Sequence, residues 1–405
     1  MSFDPGATRA DFPILATSVH GNALTYLDNA ASAQKPLVVL DRMRRFMLSE
    51  YSNVHRGIHH LANVATEAYE GAREILRRFL NAAHREEIIF TKSVTDAINL
   101  VASSLGQRLV PGDEVIVSVM EHHSNIIPWH FLRERRGINL KWVPVSEQGS
   151  FLFDEFLKLL TPGTKIVALT HMSNVLGTVP PVRNIIRAAH EVGALVLLDG
   201  AQAAVHCPVD VQDLDVDFYG VTGHKLYGPT GVGVLYGKLN LLKDMPPFLG
   251  GGEMVKEMSL GEAIYEDPPY RFEAGTPPIV EAVGLGAAVS YLEGLGRDEV
   301  FAHESEIFAY AYDALKDIPG LRIYGQAENK GAIISFNLSG TNAYDVAAIL
   351  DRCGVAVRAG THCAQPLLTF FDTKATCRAS FALYNTRDEV DRLVDAVLKA
   401  RSLLN

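Results

Sequence analysis

The chain has 405 residues, 48% of them apolar and 21% charged, a length that suits two or three domains around sizeable cores. Its formal net charge of −10 argues against nucleic acid or an anionic membrane surface as partner. Four cysteines without a Cys-x-x-Cys pair exclude a disulfide scaffold, and neither a signal-peptide pattern nor an apolar run of the roughly 18–20 residues needed to span a membrane is visible, so a reducing, cytoplasmic setting is expected.

Short apolar runs alternate with amphipathic segments through the middle of the chain. Glu87 to Lys92, Glu114 to Val119, Leu140 to Val145, Lys165 to Thr170 and Ala194 to Leu198 read as buried strands. Between them Val94 to Gly106, Asn125 to Arg136 and Val182 to Val192 carry helical spacing, and Asp217 to Thr222 and Gly231 to Tyr236 supply two more strands. This alternation predicts an α/β unit with a mostly parallel sheet covered on both faces. After about Pro278 the texture changes. Two long helices are predicted at Val280 to Leu295 and Asp298 to Asp317, then strands at Leu321 to Tyr324 and Ala332 to Asn337 and a helix at Tyr344 to Cys353. Strands at Val355 to Arg358 and Cys377 to Ala382 and a helix from Arg387 to Leu404 complete a smaller α+β unit.

Several side chains at the predicted strand ends could carry chemistry. Lys225, in Thr222-Gly223-His224-Lys225, follows an apolar run, where desolvation lowers an amine's pKa as Schiff-base chemistry requires; a lysine at the mouth of a surface turn is the competing reading. Asp199 ends another apolar run, at the sheet edge where open α/β folds bind ligands, and is equally readable as a helix cap. The segment Lys92 to Asp96 offers hydroxyls at a helix N-terminus, a ready anion site or a simple cap. His122 could stack on a ring and pass protons. Adjacent histidines rarely face one ion, so no metal is expected at His122 and His123. Cys363 sits in a glycine-containing turn beside His362, a setting for an exposed, partly ionised thiol, whereas Cys353 falls in an apolar helix pattern. Arg378, on a predicted strand, suits bidentate capture of a carboxylate or a structural ion pair.

Taken together, these segments resemble the class V aminotransferase family, pyridoxal 5'-phosphate (PLP) enzymes of fold type I, and within it the Suf-type cysteine desulfurase / selenocysteine lyase branch. The likeness runs nearly end to end. It begins at Tyr26-Leu-Asp-Asn-Ala-Ala-Ser-Ala-Gln-Lys-Pro and Asn53-Val-His-Arg-Gly-Ile-His, and continues through Met120-Glu-His-His-Ser-Asn, His171-Met-Ser-Asn-Val-Leu-Gly and Asp199-Gly-Ala-Gln. It closes on Gly223-His-Lys-Leu-Tyr-Gly-Pro-Thr-Gly, Arg271-Phe-Glu-Ala-Gly-Thr-Pro and Arg358-Ala-Gly-Thr-His-Cys-Ala-Gln-Pro-Leu. Branch members often carry two histidines before the cysteine, where this chain has Thr361-His362.

The resemblance implies a large PLP-binding domain over 25–296 with a seven-stranded sheet, and a small domain of 1–24 and 297–405 that carries the cysteine loop. It implies Lys225 as the Schiff-base lysine, Asp199 on the pyridine nitrogen, Gln202 on the phenolic oxygen and His122 stacked on the ring. Thr95, Thr222 and His224 would hold the phosphate, and Thr276 would reach the phosphate of the other subunit of a homodimer. Asn174 and Arg378 would bind the substrate carboxylate, Lys225 would move the Cα proton, His122 would manage the thiol proton and Cys363 would carry the persulfide. The expected activity is conversion of L-cysteine to L-alanine, with sulfur passed to a SufE-type acceptor for iron–sulfur cluster assembly. Release of selenium from L-selenocysteine is the alternative reaction, and a non-catalytic PLP-fold scaffold the alternative of another class.

Overall fold

A computed structural model of the protein describes residues 3–404. Seven apolar runs form one sheet: β1 (Ile88–Thr91), β2 (Glu114–Ser118), β3 (Asn139–Val143), β4 (Thr164–Thr170), β5 (Leu195–Asp199), β6 (Phe218–Thr222) and β7 (Gly233–Gly237). Their order is β1-β7-β6-β5-β4-β2-β3. Every pairing is parallel except those of β7, which runs antiparallel to β1 and β6. Along β4, Ile166 and Ala168 pack into one core while Val167 and Leu169 pack into the other. Both faces are therefore dry, which is why these strands read as unbroken apolar runs without polar alternation. All the strands except β7 point the same way, so Ser118, Thr170, Asp199 and Thr222 close their strands along a single edge.

A second, antiparallel sheet holds β8 (Leu321–Tyr324), β9 (Ile333–Leu338), β10 (Arg358–Gly360) and β11 (Thr376–Ser380), in the order β8-β9-β11-β10. Helices Arg297–Lys316, Ala343–Arg352 and Arg387–Leu404 share a third core with it, built on Ile307, Val346, Leu393 and Phe336. Helix Ile279–Leu295 packs instead against Leu37–Ser49 and His60–Leu80, and meets Arg297–Lys316 at Gly296 with a bend of 79°. We propose that the chain divides at this bend. Among the described residues, no single helix is long and apolar enough to cross a membrane.

One predicted strand is not a single element. The run from Val355 to Arg358 splits, because its first half finds a different edge from its second. Val355–Ala356 pairs in parallel with Thr25–Tyr26, whereas Arg358–Gly360 pairs with β11. Segment Thr25–Tyr26 thereby ties the N-terminal region to the C-terminal unit, as does Arg9, which donates to the Glu389 carboxylate of helix Arg387–Leu404 at 3.0 Å. The bridge continues at Asp28, which lies beside Ser380, and at Asn29, which donates to the Ser380 carbonyl at 2.7 Å. This stretch of chain is a seam between the two units, for the Gln202 side chain donates to the Ala30 carbonyl at 2.8 Å and the Ala33 N–H to the His224 carbonyl at 3.1 Å.

Candidate active site

The shared strand edge and the cysteine turn enclose a cavity of about 250 Å³. Its wall includes Thr95, His122, Asn174, Asp199, Gln202, Thr222, His224, Lys225, Cys363 and Arg378. Every site residue expected from sequence is in that set except Thr276, which is exposed elsewhere, in a turn whose Gly275 N–H donates to the Gly252 carbonyl at 2.9 Å.

Asp199 ends β5 with its carboxylate buried. Oδ1 accepts from the Ala201 N–H at 2.9 Å, and no protein donor meets Oδ2 among the described residues. Burial raises its pKa, and the charge of Lys225 opposes the rise. Lys225 stands one strand away, past the end of β6. Burial lowers its pKa to about 8, with Asp199 pulling back upward and Arg378 adding to the fall. Each group thus favours the charged form of the other. The turn after Asp199 has no spare room, since a Cβ on Gly200 would lie 2.1 Å from the Tyr219 ring. Gly200→Ala is accordingly expected to cost about 1–3 kcal/mol of stability through forced repacking, read as a lower urea midpoint at unchanged slope.

His122 is set by hydrogen bonds that sequence reading missed. Its Nδ1 accepts from the Ser124 N–H at 3.1 Å, so the ring proton resides on Nε2. Ser124 Oγ lies 2.9 Å from Nδ1 and 2.7 Å from Thr95 Oγ1, which joins the imidazole to the helix N-terminus at Val94. Burial, then the charges of Lys225, His123 and Arg378, push the His122 pKa down to about 3. The ring is neutral at physiological pH and presents an N–H donor. Beneath it Glu121 is fully buried, bonded to Ser118 and Asn125, and burial with the nearby charge of Asp199 raises its pKa to about 8.

Cys363 is exposed and lines the cavity. It and His362 both hold left-handed backbone, φ 55° and 52°, a conformation that costs energy outside glycine and asparagine. The large unit pins this turn. The His123 N–H donates to the Cys363 carbonyl at 2.7 Å, and Asn174 Nδ2 to the His362 carbonyl at 2.9 Å. Helix Gln365–Phe370 follows at once, so the loop is short and ordered. His362 itself is buried. The left-handed turn sends its ring inward, where Nε2 meets the Thr376 hydroxyl at 2.9 Å and burial lowers its pKa to about 3.

On the far wall Arg378 is 2% exposed; its Nη1 donates to the Asn174 carbonyl at 2.9 Å, its Nη2 lies 3.4 Å from Asp28, and its Nε has no partner among the described residues. Burial lowers its pKa to about 10, so it remains a cation. An unmatched guanidinium N–H in a dry wall calls for an anionic ligand.

The residues present fit PLP. Thr222 Oγ1 is buried and has no partner among the described residues, which suits a hydroxyl that donates to a phosphate. Helix Val94–Gly106 opens onto the same cavity, so its N-terminal N–H groups favour an anion. Asp199 Oδ2 has room for a protonated ring nitrogen, and Lys225 supplies an amine of lowered pKa. Gln202 already donates one N–H to the Ala30 carbonyl at 2.8 Å, which leaves its second N–H for the cavity.

Comparison with known proteins follows the same line. A family model described as aminotransferase class-V matches residues 25–393. A cysteine desulfurase of Dickeya dadantii is 51% identical, covering 98% of this chain and 96% of its own. One of Pectobacterium atrosepticum is 50% identical over the whole of both chains. Among solved structures, the cysteine desulfurase CsdA of Escherichia coli superposes with TM-score 0.93 at 42% identity over the whole of both chains. A cysteine desulfurase of Thermococcus onnurineus gives TM-score 0.94 at 35% identity over 99% of each.

Proposed function

The chain belongs to the class-V aminotransferase family, and from that premise we propose that it is a cysteine desulfurase acting through PLP, with Cys363 as the sulfur carrier. The observation that carries this reading is the exposed thiol of Cys363, held in a pinned turn that faces the Asp199–Lys225 pair across one cavity. When bound, PLP supplies an electron sink for the carbanion left by removal of the Cα proton.

The chain's own residues supply the rest. Lys225 would hold the cofactor and then, as a free amine of lowered pKa, take the Cα proton. Asp199 would keep the ring nitrogen protonated, and Gln202 would donate to the phenolic oxygen. Thr95, Thr222 and His224 would hold the phosphate, joined by Thr276 of a second copy in a homodimer, consistent with its exposure away from its own cavity. Arg378 and Asn174 would fix the substrate carboxylate. His122 would lie over the ring and present Nε2–H as a donor, a narrower part than general management of the thiol proton.

In the sulfur step the Cys363 thiolate attacks the sulfur of L-cysteine. An S–S bond forms, the Cβ–S bond breaks, and its electron pair passes to the three-carbon fragment that is protonated to L-alanine. A SufE-type acceptor then receives the outer sulfur for iron–sulfur assembly. We place this chemistry in the cytoplasm, where thiols stay reduced, as the four free cysteines suggest. Incubation of the PLP-loaded enzyme with L-cysteine is expected to yield L-alanine and add one sulfur atom to the peptide containing Cys363, detected by mass spectrometry. Alanine formation with no sulfur on that peptide would overturn the assignment.

A further inference from the structure

Arg358 and Arg378 occupy one register position on β10 and β11, directly opposite each other. Like charges so placed repel unless a counter-ion intervenes. Asp28 is that counter-ion. Its carboxylate accepts from Arg358 Nε at 3.1 Å and Nη2 at 2.9 Å, and lies 3.4 Å from Arg378 Nη2. It arrives from the seam segment, 330 residues away in sequence, and is fixed there by its bridge to Ser380. Both arginines line the cavity, as Cys363 does.

We propose that Asp28 is a specificity-determining positioning residue. It ties the two guanidinium groups into one fork and cancels one of their charges. The pocket then presents a single uncompensated positive charge, which matches the lone carboxylate of L-cysteine. An amino acid whose side chain is also anionic finds no second cation, because Arg358 is already paired. The inference rests on the reading of this cavity as the L-cysteine site, and it adds a criterion of charge to that site.

The test uses the PLP-loaded enzyme, with L-aspartate and L-alanine as competing ligands for L-cysteine turnover and in direct titration of the bound cofactor's absorbance. In Asp28→Asn, affinity for L-aspartate is expected to rise at least about tenfold, and affinity for L-alanine to change less than about threefold, as one freed charge near the side chain would do. The double variant Asp28→Asn with Arg358→Gln should return the ratio to that of wild type, and Asp28→Glu should keep it. If Asp28→Asn does not fold, Arg358→Gln alone decides: Asp28 then neutralises Arg378, and KM for L-cysteine should rise at least about tenfold with kcat altered less. Equal shifts for both ligands in Asp28→Asn, or an unchanged KM in Arg358→Gln, would sink the proposal. Failure of the wild type to form alanine from L-cysteine would sink the desulfurase reading instead.

Discussion

Cys363→Ala is expected to reduce alanine formation from L-cysteine by at least about a thousandfold while the enzyme still binds its cofactor. The size of the loss follows from the absence of a substitute. Cys377 is buried, its Sγ donates to the Ala343 carbonyl at 3.0 Å, and burial pushes its pKa up to about 12. Cys207 rises to about 11 through burial and the nearby charge of Glu304, and neither it nor Cys353 lines the cavity. No other thiol can therefore attack the substrate sulfur. Cofactor loading survives because its expected holders, Lys225, Asp199, Thr222 and Thr95, do not depend on the Cys363 side chain. L-selenocysteine should behave differently, since selenium can leave without a persulfide. Retained turnover on that substrate, beside a collapse on L-cysteine, would separate the two activities. Alanine release from L-cysteine at the wild-type rate would instead refute sulfur transfer to Cys363.

Much of this site was legible because strand ends are legible. An apolar run that stops on Asp199, and another that stops beside Lys225, announce two polar groups on adjacent strands of one sheet. The sequence also marks helix Val94–Gly106, whose boundaries match the apolar spacing. What stayed hidden depends on contacts between distant segments. Asp28 has no local pattern that pairs it with Arg358, and nothing in the sequence places the Ser124 hydroxyl between His122 and Thr95. The inward turn of His362 follows from a left-handed backbone that no side-chain pattern encodes. Helix His60–Leu80 was missed for another reason. Its buried face uses Ala62, Ala65 and Ala72 alongside Tyr69 and Leu76, and alanine gives a weak apolar signal. The split of Val355 to Arg358 was likewise set by which edges were free in three dimensions.

Lys225→Ala should remove both the attachment of the cofactor and the proton-transfer group, and lower turnover by at least about ten-thousandfold. The substituted protein should also lose its yellow colour on desalting, whereas Lys225→Arg should keep a cation there yet remain colourless and inactive, which separates charge from nucleophilicity. The wild type offers a finer test of the same amine. Burial, assisted by Arg378, lowers the Lys225 pKa to about 8, and only the neutral amine condenses with an aldehyde. Below that pKa the reactive fraction falls as protons are added. The rate at which apoenzyme takes up PLP should therefore rise about tenfold per unit as pH increases toward 8, then level off near 9. An ordinary lysine would keep climbing past pH 10, and that outcome would show that the wall does not desolvate Lys225. Asp199 is the carboxylate that holds the amine's pKa up against burial. Its replacement by asparagine should shift the plateau to lower pH, whereas a merely loosened wall would admit water and shift it to higher pH.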